Sequence, residues 1–210
     1  TQSTNTTFIV NGLTNGIKYT FMVRAVNING SGPISNRISF IYIAKPKTIT
    51  HLSGNGEDAQ VVLSWLAPEN GGSAITDYQY NINGGSWIST GSNSTSHTVT
   101  GLTNGESYIF KVFAVNIIGN GTESGPVTVK PNTIPSAITN LSGVQTYNTV
   151  TLTWDKSNDG GASITKYEYN INGNWVTTVP ISPDITTYLV TGLTSATKYT
   201  FMVRDVNANG

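Results

Sequence analysis

The chain has 210 residues, 11 Lys and Arg against 11 Asp and Glu, and only 10% charged residues. A neutral, weakly charged surface excludes partners held by electrostatics, such as a nucleic-acid backbone or an anionic membrane. The absence of cysteine excludes a disulfide scaffold, a zinc–thiolate site and a cysteine nucleophile. Hydrophobic residues, at 37%, suffice for packed cores, and no apolar run reaches the roughly 20 residues of a membrane-inserted helix.

Two blocks of sequence recur along the chain. The block VNGLTNGIKYTFMVRAVN occupies 10–27 and returns at 99–116 and 190–207. A tryptophan-containing block at 62–87 returns at 151–175 and has no copy in the first 45 residues. A period near ~90 residues suits a small independent domain rather than a solenoid repeat.

These blocks divide the chain into three repeats. We assign 1–44 to a first repeat, 45–132 to a middle repeat and 133–210 to a third repeat, of which the middle one is complete. Prolines lie in the short linkers, where a missing N–H does no harm.

The first repeat, in chain order, contains the last three strands of a unit. Its inward row has no opposite layer within these residues, so we expect a preceding segment or another molecule to cover it. The row comprises Phe8, Val10, Leu13, Tyr19, Phe21 and Val23.

The middle repeat reads as alternating strands. Val61, Leu63 and Trp65 share one face of a strand, and Tyr78 and Tyr80 share one face of another. Asn-Gly pairs supply the positive φ angles of tight turns. A further inward row comprises Tyr108, Phe110, Val112 and Ala114. About seven short strands in about 90 residues predict an antiparallel β-sandwich.

The third repeat follows the same pattern around Trp154, with two differences. Ser195-Ala196 stands where the other copies have Asn-Gly, and the chain reaches Gly210 without a last strand. We therefore expect an open edge along its final sheet. The predicted fold class is all-β, with tandem antiparallel sandwiches, one complete and two partial.

The chain resembles the fibronectin type III domain family. The resemblance rests on the second-strand Trp, the Gly-Gly loop followed by Ile-Thr-x-Tyr, the Gly-Leu-Thr-Asn-Gly-x-x-Tyr motif and the Ala-Val-Asn motif. It implies immunoglobulin-like seven-stranded sandwiches, usually strung in tandem in extracellular or surface proteins. It also implies that Tyr19, Tyr108 and Tyr199 form tyrosine corners, with each hydroxyl bonded to upstream backbone.

The residues do not form a catalytic constellation. His51 and His97 are single in their repeats and do not recur, so strand-edge positions explain them better than catalysis. The run from Asp155 to Gly160 begins like a calcium loop, but its twelfth position is Lys166 rather than Glu. We predict that the chain is not an enzyme and has no metal and no cofactor.

Exposed aromatic residues are the candidate contact face. On the strand around 108–116 the outward positions include Ile109 and Phe113, and Phe113 is an apolar outlier there. It favours either a contact with another repeat or chain, or a scattered surface aromatic. Trp87 and Trp175 follow the hairpins and either stack on sugar rings or, as we favour, cover the sheet edge.

Three functions remain open. The chain is a structural spacer, stalk or fibre segment of a longer protein, or an adhesion module for protein or glycan, or an accessory module of a polysaccharide-degrading enzyme. Its partners would be neighbouring repeats, other copies in an assembly, or a protein or glycan ligand. The expected location is extracellular, at a cell surface or on a virion or other particle. The Asn-, Ile- and Tyr-rich composition suggests an AT-rich bacterial or large-virus source.

Overall fold

The computed structural model describes residues 4–177 and 185–210 of the chain. These residues form 18 β-strands, and no helix is present in either range. Within them, therefore, no helical segment has the length and hydropathy to cross a membrane. The prediction of an all-β, antiparallel fold is confirmed.

The first repeat contains four short strands. Strand β1 (Lys18–Phe21) pairs antiparallel with β4 (Ile38–Ile41), and β2 (Val26–Asn27) pairs with β3 (Gly30–Ser31). Residues 7–11, which correspond to a strand of the middle repeat, form no strand. The reason is that residues 1–44 contain no counterpart of the strand that would pair with them.

Half of the inward row of the first repeat is exposed and the other half is half-buried. Phe8 is 69% exposed and Val23 is 73% exposed, and Phe40 on β4 is 61% exposed. These side chains would form half of a sandwich core. This is the apolar layer that we expected, from the sequence, to be covered by a preceding segment or by another molecule.

The middle repeat contains eight strands in two sheets. A three-stranded sheet has the order β5-β6-β9, and a five-stranded sheet has the order β11-β10-β7-β8 with β12 on β10. The strands are β5 (Thr50–Glu57), β6 (Gln60–Leu66), β7 (Asp77–Ile82), β8 (Ile88–Ser89), β9 (Ser96–Thr100), β10 (Tyr108–Asn116), β11 (Gly119–Asn120) and β12 (Val127–Val129).

Alternation along these strands places apolar residues between the two sheets. Trp65 of β6 meets Tyr78 of β7 edge to face, with 5.0 Å between their ring centroids. Val61 and Leu63 on the same face of β6 are fully buried, as are Phe110 and Val112 on β10. The residues that form the sandwich core are therefore the apolar residues found at every second position along these strands in the sequence.

The third repeat has six strands in the described residues. Sheet β13-β14-β17 faces sheet β16-β15-β18, and between them lies a cluster of Leu152, Trp154, Ile164, Tyr167 and Val190. The strands are β13 (Ser142–Thr146), β14 (Thr149–Thr153), β15 (Lys166–Ile171), β16 (Asn174–Thr177), β17 (Thr187–Val190) and β18 (Phe201–Val206). Strand β18 is at the edge of its sheet, where its counterpart β10 has β12 beside it.

The described chain forms two compact units. One comprises the described parts of Thr1–Ser53 with Ser64–His97 and Ile109–Val127. The other comprises Gly54–Leu63, Thr98–Tyr108 and the described parts of Thr128–Gly210. The first unit thus contains the described part of the first repeat and the linker after it, the second contains the described part of the third repeat and the linker before it, and the middle repeat is divided between them.

Each repeat contains the same tyrosine contact. The hydroxyl oxygens of Tyr19, Tyr108 and Tyr199 accept hydrogen bonds from the backbone N–H groups of Thr14, Thr103 and Thr194, at 2.9, 3.0 and 3.0 Å. Each bond joins residues five apart and closes the loop that precedes a strand. These are the contacts that the resemblance implied for the three tyrosines.

Replacing Tyr108 by Phe removes the acceptor of the Thr103 N–H. We expect the free energy of unfolding of the middle repeat to fall by about 1 kcal/mol, because one hydrogen bond is lost while the ring stays packed. Native-state hydrogen exchange of β10 amides measures this repeat separately. Tyr147→Phe, at a 91% exposed side chain of the third repeat, is the control. Equal protection of β10 in Tyr108→Phe and the unmodified chain would contradict the expectation.

Candidate functional sites: the aromatic face and the repeat junctions

Phe113 is not on the solvent-exposed surface, which corrects the expectation from its strand position. Its side chain is only 5% exposed because the ring of Trp87 covers it, with 4.4 Å between the two ring centroids. The alternation along β10 does place Phe113 on the outer side of its sheet. The β7–β8 hairpin then brings Trp87 over it, which the pattern of a single strand could not show.

The other candidate contact residues remain accessible. Ile109 is 45% exposed, Trp87 is 36% exposed and Trp175 is 42% exposed. The two tryptophans do cover the outer sheet face next to the strand edge, each against a partner on the neighbouring long strand. Each tryptophan on this face therefore packs against a residue of its own repeat.

The third repeat builds this face from charged residues. Arg204 takes the position of Phe113, and its guanidinium lies 4.2 Å from the centroid of the Trp175 ring. Its Nε and Nη2 donate to one carboxylate oxygen of Glu168 at 2.9 and 2.6 Å, while Lys166 Nζ donates to the other oxygen at 2.6 Å. Gln79 stands at the position of Glu168 in the middle repeat. The charge on Arg204 therefore appears together with the carboxylate that neutralises it.

Both histidines lie in β-strands of the middle repeat. His51 lies in β5, is exposed and has a φ of 56°. His97 lies in β9 with its ring 5.0 Å from the ring of Tyr80. Burial lowers the pKa of His97, and the charge of Asp77 opposes this shift. The Nδ1 atom of His51 lies 3.2 Å from the hydroxyl oxygen of the adjacent Thr50.

The acidic residues of the calcium-like run bond within the fold. Asp155 Oδ2 accepts from Asn140 Nδ2 at 2.7 Å, and Asp159 Oδ1 accepts from the Gly161 N–H at 2.8 Å. Ser157 Oγ donates to the carboxylate of Asp205. Across the described ranges 4–177 and 185–210, no three His, Cys, Asp or Glu side chains cluster as metal ligands.

The first junction joins the linker after the first repeat to the loops on both sides of it. The N–H of Gly16 donates to the carbonyl oxygen of Tyr42 at 2.8 Å, and the N–H of Ala44 donates to that of Gly71 at 2.8 Å. Asn116, only 3% exposed, donates from Nδ2 to the carbonyl oxygens of Ala44 and Asn70, at 2.7 and 2.8 Å. The linker backbone is therefore hydrogen-bonded both to the first repeat and to the middle repeat.

The second junction repeats these contacts 89 to 91 residues later. The N–H of Gly105 donates to the Pro131 carbonyl at 2.9 Å, and the N–H of Thr133 donates to the Gly160 carbonyl at 2.8 Å. Asn207, 4% exposed, donates from Nδ2 to the carbonyl oxygens of Thr133 and Asp159, at 2.7 and 2.8 Å. Every donor and acceptor of the first junction has its counterpart here.

Glycine is required at both junctions by close backbone approach. A β-carbon on Gly72 would overlap the backbone of Gly16, and one on Gly161 would overlap the backbone of Gly105. Sequence reasoning treated these glycines only as turn residues and gave the Asn of the Ala-Val-Asn motif no role. One signal in the sequence could have indicated these roles. The Gly-Gly pair, the Asn-Gly pair and this Asn all recur at a spacing of 89 to 91 residues.

Replacing Asn116 by Ala removes the amide that holds the linker. We expect the middle repeat to lose about 2 kcal/mol of unfolding free energy, because two hydrogen bonds from a buried side chain are lost. We also expect the linker at 42–47 to become sensitive to thermolysin while the repeat stays folded. Asn27→Ala, at the matching but exposed position of the first repeat, is the control. A linker that resists cleavage equally in both variants would contradict this role.

We expect Glu168 to make the stability of the third repeat sensitive to acid. Hydrogen bonds from Lys166 and then Arg204 lower the pKa of Glu168 below its ordinary value. A lowered carboxyl pKa contributes stability above the unfolded-state pKa of about 4.3, and this contribution is lost as pH falls through the folded pKa. We expect Glu168→Gln to flatten the acid decline in stability of the third repeat.

Urea unfolding between about pH 3 and pH 6, followed by amide resonances of each repeat, measures this effect. The middle repeat, with Gln79 at the matching position, is the internal control. An unchanged acid decline of the third repeat in Glu168→Gln would contradict the assignment.

The comparison with protein families identifies one family. The fibronectin type III domain model matches residues 44–130 and 136–210. Myomesin-2 of Homo sapiens is 31% identical over 97% of this chain, and Chitinase A1 of Niallia circulans is 35% identical over 71% of it. The chain spans only 15% and 22% of the length of these two relatives.

A solved structure is similar over much of the chain. The crystal structure of chicken CNTN1 FN1-FN3 domains aligns with a TM-score of 0.40 and 19% sequence identity. The alignment covers 80% of this chain and 63% of the CNTN1 chain.

Proposed function

Because this chain belongs to the fibronectin type III domain family, we propose that it is a structural segment of a longer tandem-repeat protein, acting as a spacer, stalk or fibre. Modules of this family are generally non-catalytic. The weakly charged strand surfaces and the absence of cysteine suit a chain whose repeats are stabilised by their cores alone.

The observation that carries this proposal is the repeated junction. A linker that only tethers two domains leaves them free to move, which is the default for domains joined by small contacts. Here the linker backbone is hydrogen-bonded by Gly16 and Asn116 at one junction and by Gly105 and Asn207 at the other. The same geometry built twice, from matching residues, supports a fixed orientation between consecutive repeats.

The proposed setting is extracellular, at a cell or particle surface, and the AT-rich type of composition supports a bacterial or large-virus surface protein. The partners would be the neighbouring repeats and other copies in an assembly. Because the chain spans a small fraction of the relatives it matches, these properties belong to the longer protein.

The Chitinase A1 match favours a second function, an accessory module beside a polysaccharide-degrading domain. Saturable binding of the chain to chitin or another insoluble polysaccharide, lost when the exposed Trp175 is replaced by Ala, would support it. An absence of binding to polysaccharides and host-surface proteins would leave the spacer as the function.

The spacer function predicts that the middle and third repeats tumble as one body. Residual dipolar couplings measured on the whole chain should fit a single alignment tensor for both repeats, because the second junction holds the linker on both sides. Asn207→Ala should give two separate tensors with both repeats still folded. Separate tensors in the unmodified chain would contradict the proposed spacer.

A further inference from the structure

One loop position differs among the three repeats. Gly16, Gly105 and Ala196 occupy it, each two residues after a Thr whose N–H is bonded to the tyrosine hydroxyl. All three have left-handed backbones, with φ of 80°, 88° and 59°. The loop of the third repeat therefore keeps the conformation of the other two and adds a methyl group.

In the first and middle repeats, this position faces the Gly-Gly loop of the repeat that follows. A β-carbon built on Gly16 lies 3.0 Å from Cα of Gly72, and one built on Gly105 lies 3.3 Å from Cα of Gly161. Both distances are below ordinary carbon–carbon contact, which begins near ~3.5 Å. The group it would meet is backbone, which has no side-chain torsion to turn aside.

The Gly-Gly loop has little freedom to move away. The N–H of Gly72 donates to Asn70 Oδ1 at 2.9 Å, and the carbonyl of Asn70 is held by buried Asn116. The second junction has the same restraint, from the Gly161 N–H to Asp159 Oδ1 at 2.8 Å and from Asn207 to the Asp159 carbonyl. Relief of the overlap therefore requires the backbone to move by a few tenths of an ångström against these hydrogen bonds.

We infer that this loop position determines whether a repeat can be locked to the one that follows it. Glycine permits the junction with a repeat that carries the Gly-Gly loop, and Ala196 gives the third repeat a loop that does not accept such a partner in this geometry. The steps after the first and middle repeats would thus be rigid, and any repeat that followed the third would be joined to it by a hinge. This inference rests on the proposed spacer function.

The test places the third repeat's residue at an existing junction of the full chain. Because the chain has no cysteine, Ser94→Cys and Val144→Cys provide two unique, exposed sites for spin labels on the middle and third repeats. Pulsed electron paramagnetic resonance then gives the distribution of distances between them. We expect Gly105→Ala to broaden that distribution at least about two-fold, since repeats released from a locked interface move freely.

Gly101→Ala is the matched control. Gly101 has a φ of 76° and open space where its β-carbon would lie, so this variant carries the backbone strain of Gly105→Ala without the contact. Its distance distribution should match that of the unmodified chain. Near-ultraviolet circular dichroism of the same samples reports whether the cores remain packed.

The outcomes separate the inference from the proposed function. A distribution in Gly105→Ala as narrow as in the unmodified chain, or equally broad in Gly101→Ala, overturns the inference and leaves the spacer intact. A broad distribution in the unmodified chain contradicts the spacer itself.

Should Gly105→Ala lose its fold, the same experiment is made at the first junction with Gly16→Ala. Its control is Gly12→Ala, and the labels are placed at Asn29→Cys and Ser94→Cys. Broadening in Gly16→Ala alone supports the inference, and no broadening overturns it.

Discussion

The structure depends on the close approach of two backbones at each junction. Gly72 lies against Gly16, and Gly161 against Gly105, at separations that leave no space for a β-carbon on the Gly-Gly loop. At such separations the N–H and carbonyl groups of the linker reach partners on both sides. A backbone held by several hydrogen bonds is restrained more strongly than one held by side-chain contacts, since no rotamer freedom remains to absorb movement.

A buried asparagine completes this arrangement at each junction. An Asn side chain offers two N–H donors and an acceptor in a fixed plane, and Asn116 and Asn207 use them in the same way. The amide nitrogen spans the linker and the Gly-Gly loop, while the oxygen accepts from the turn that follows. One side chain thus joins three segments that are distant in sequence. Its burial is explained by these bonds, since a buried amide without partners is costly.

The aromatic face shows how one surface is maintained with different chemistry. Trp87 covers Phe113 in the middle repeat, and Trp175 covers Arg204 in the third. The exchange of Phe for Arg is accompanied by the exchange of Gln79 for Glu168, which supplies the opposite charge. The middle and third repeats therefore both cover the outer side of this sheet, with an apolar contact in the middle repeat and a cation–π contact with an ion pair in the third.

The sequence by itself determined the fold class, the repeat period and the strand faces, because alternation of period two and turn residues are local properties of the chain. Trp65, Tyr78 and Phe110 could be placed in the core for that reason. Tertiary structure alone decided that Phe113 is covered, because the covering ring comes from another strand. It alone decided the role of the glycines and of Asn116, because close backbone approach and a bond that spans 72 residues exist only once the chain has folded.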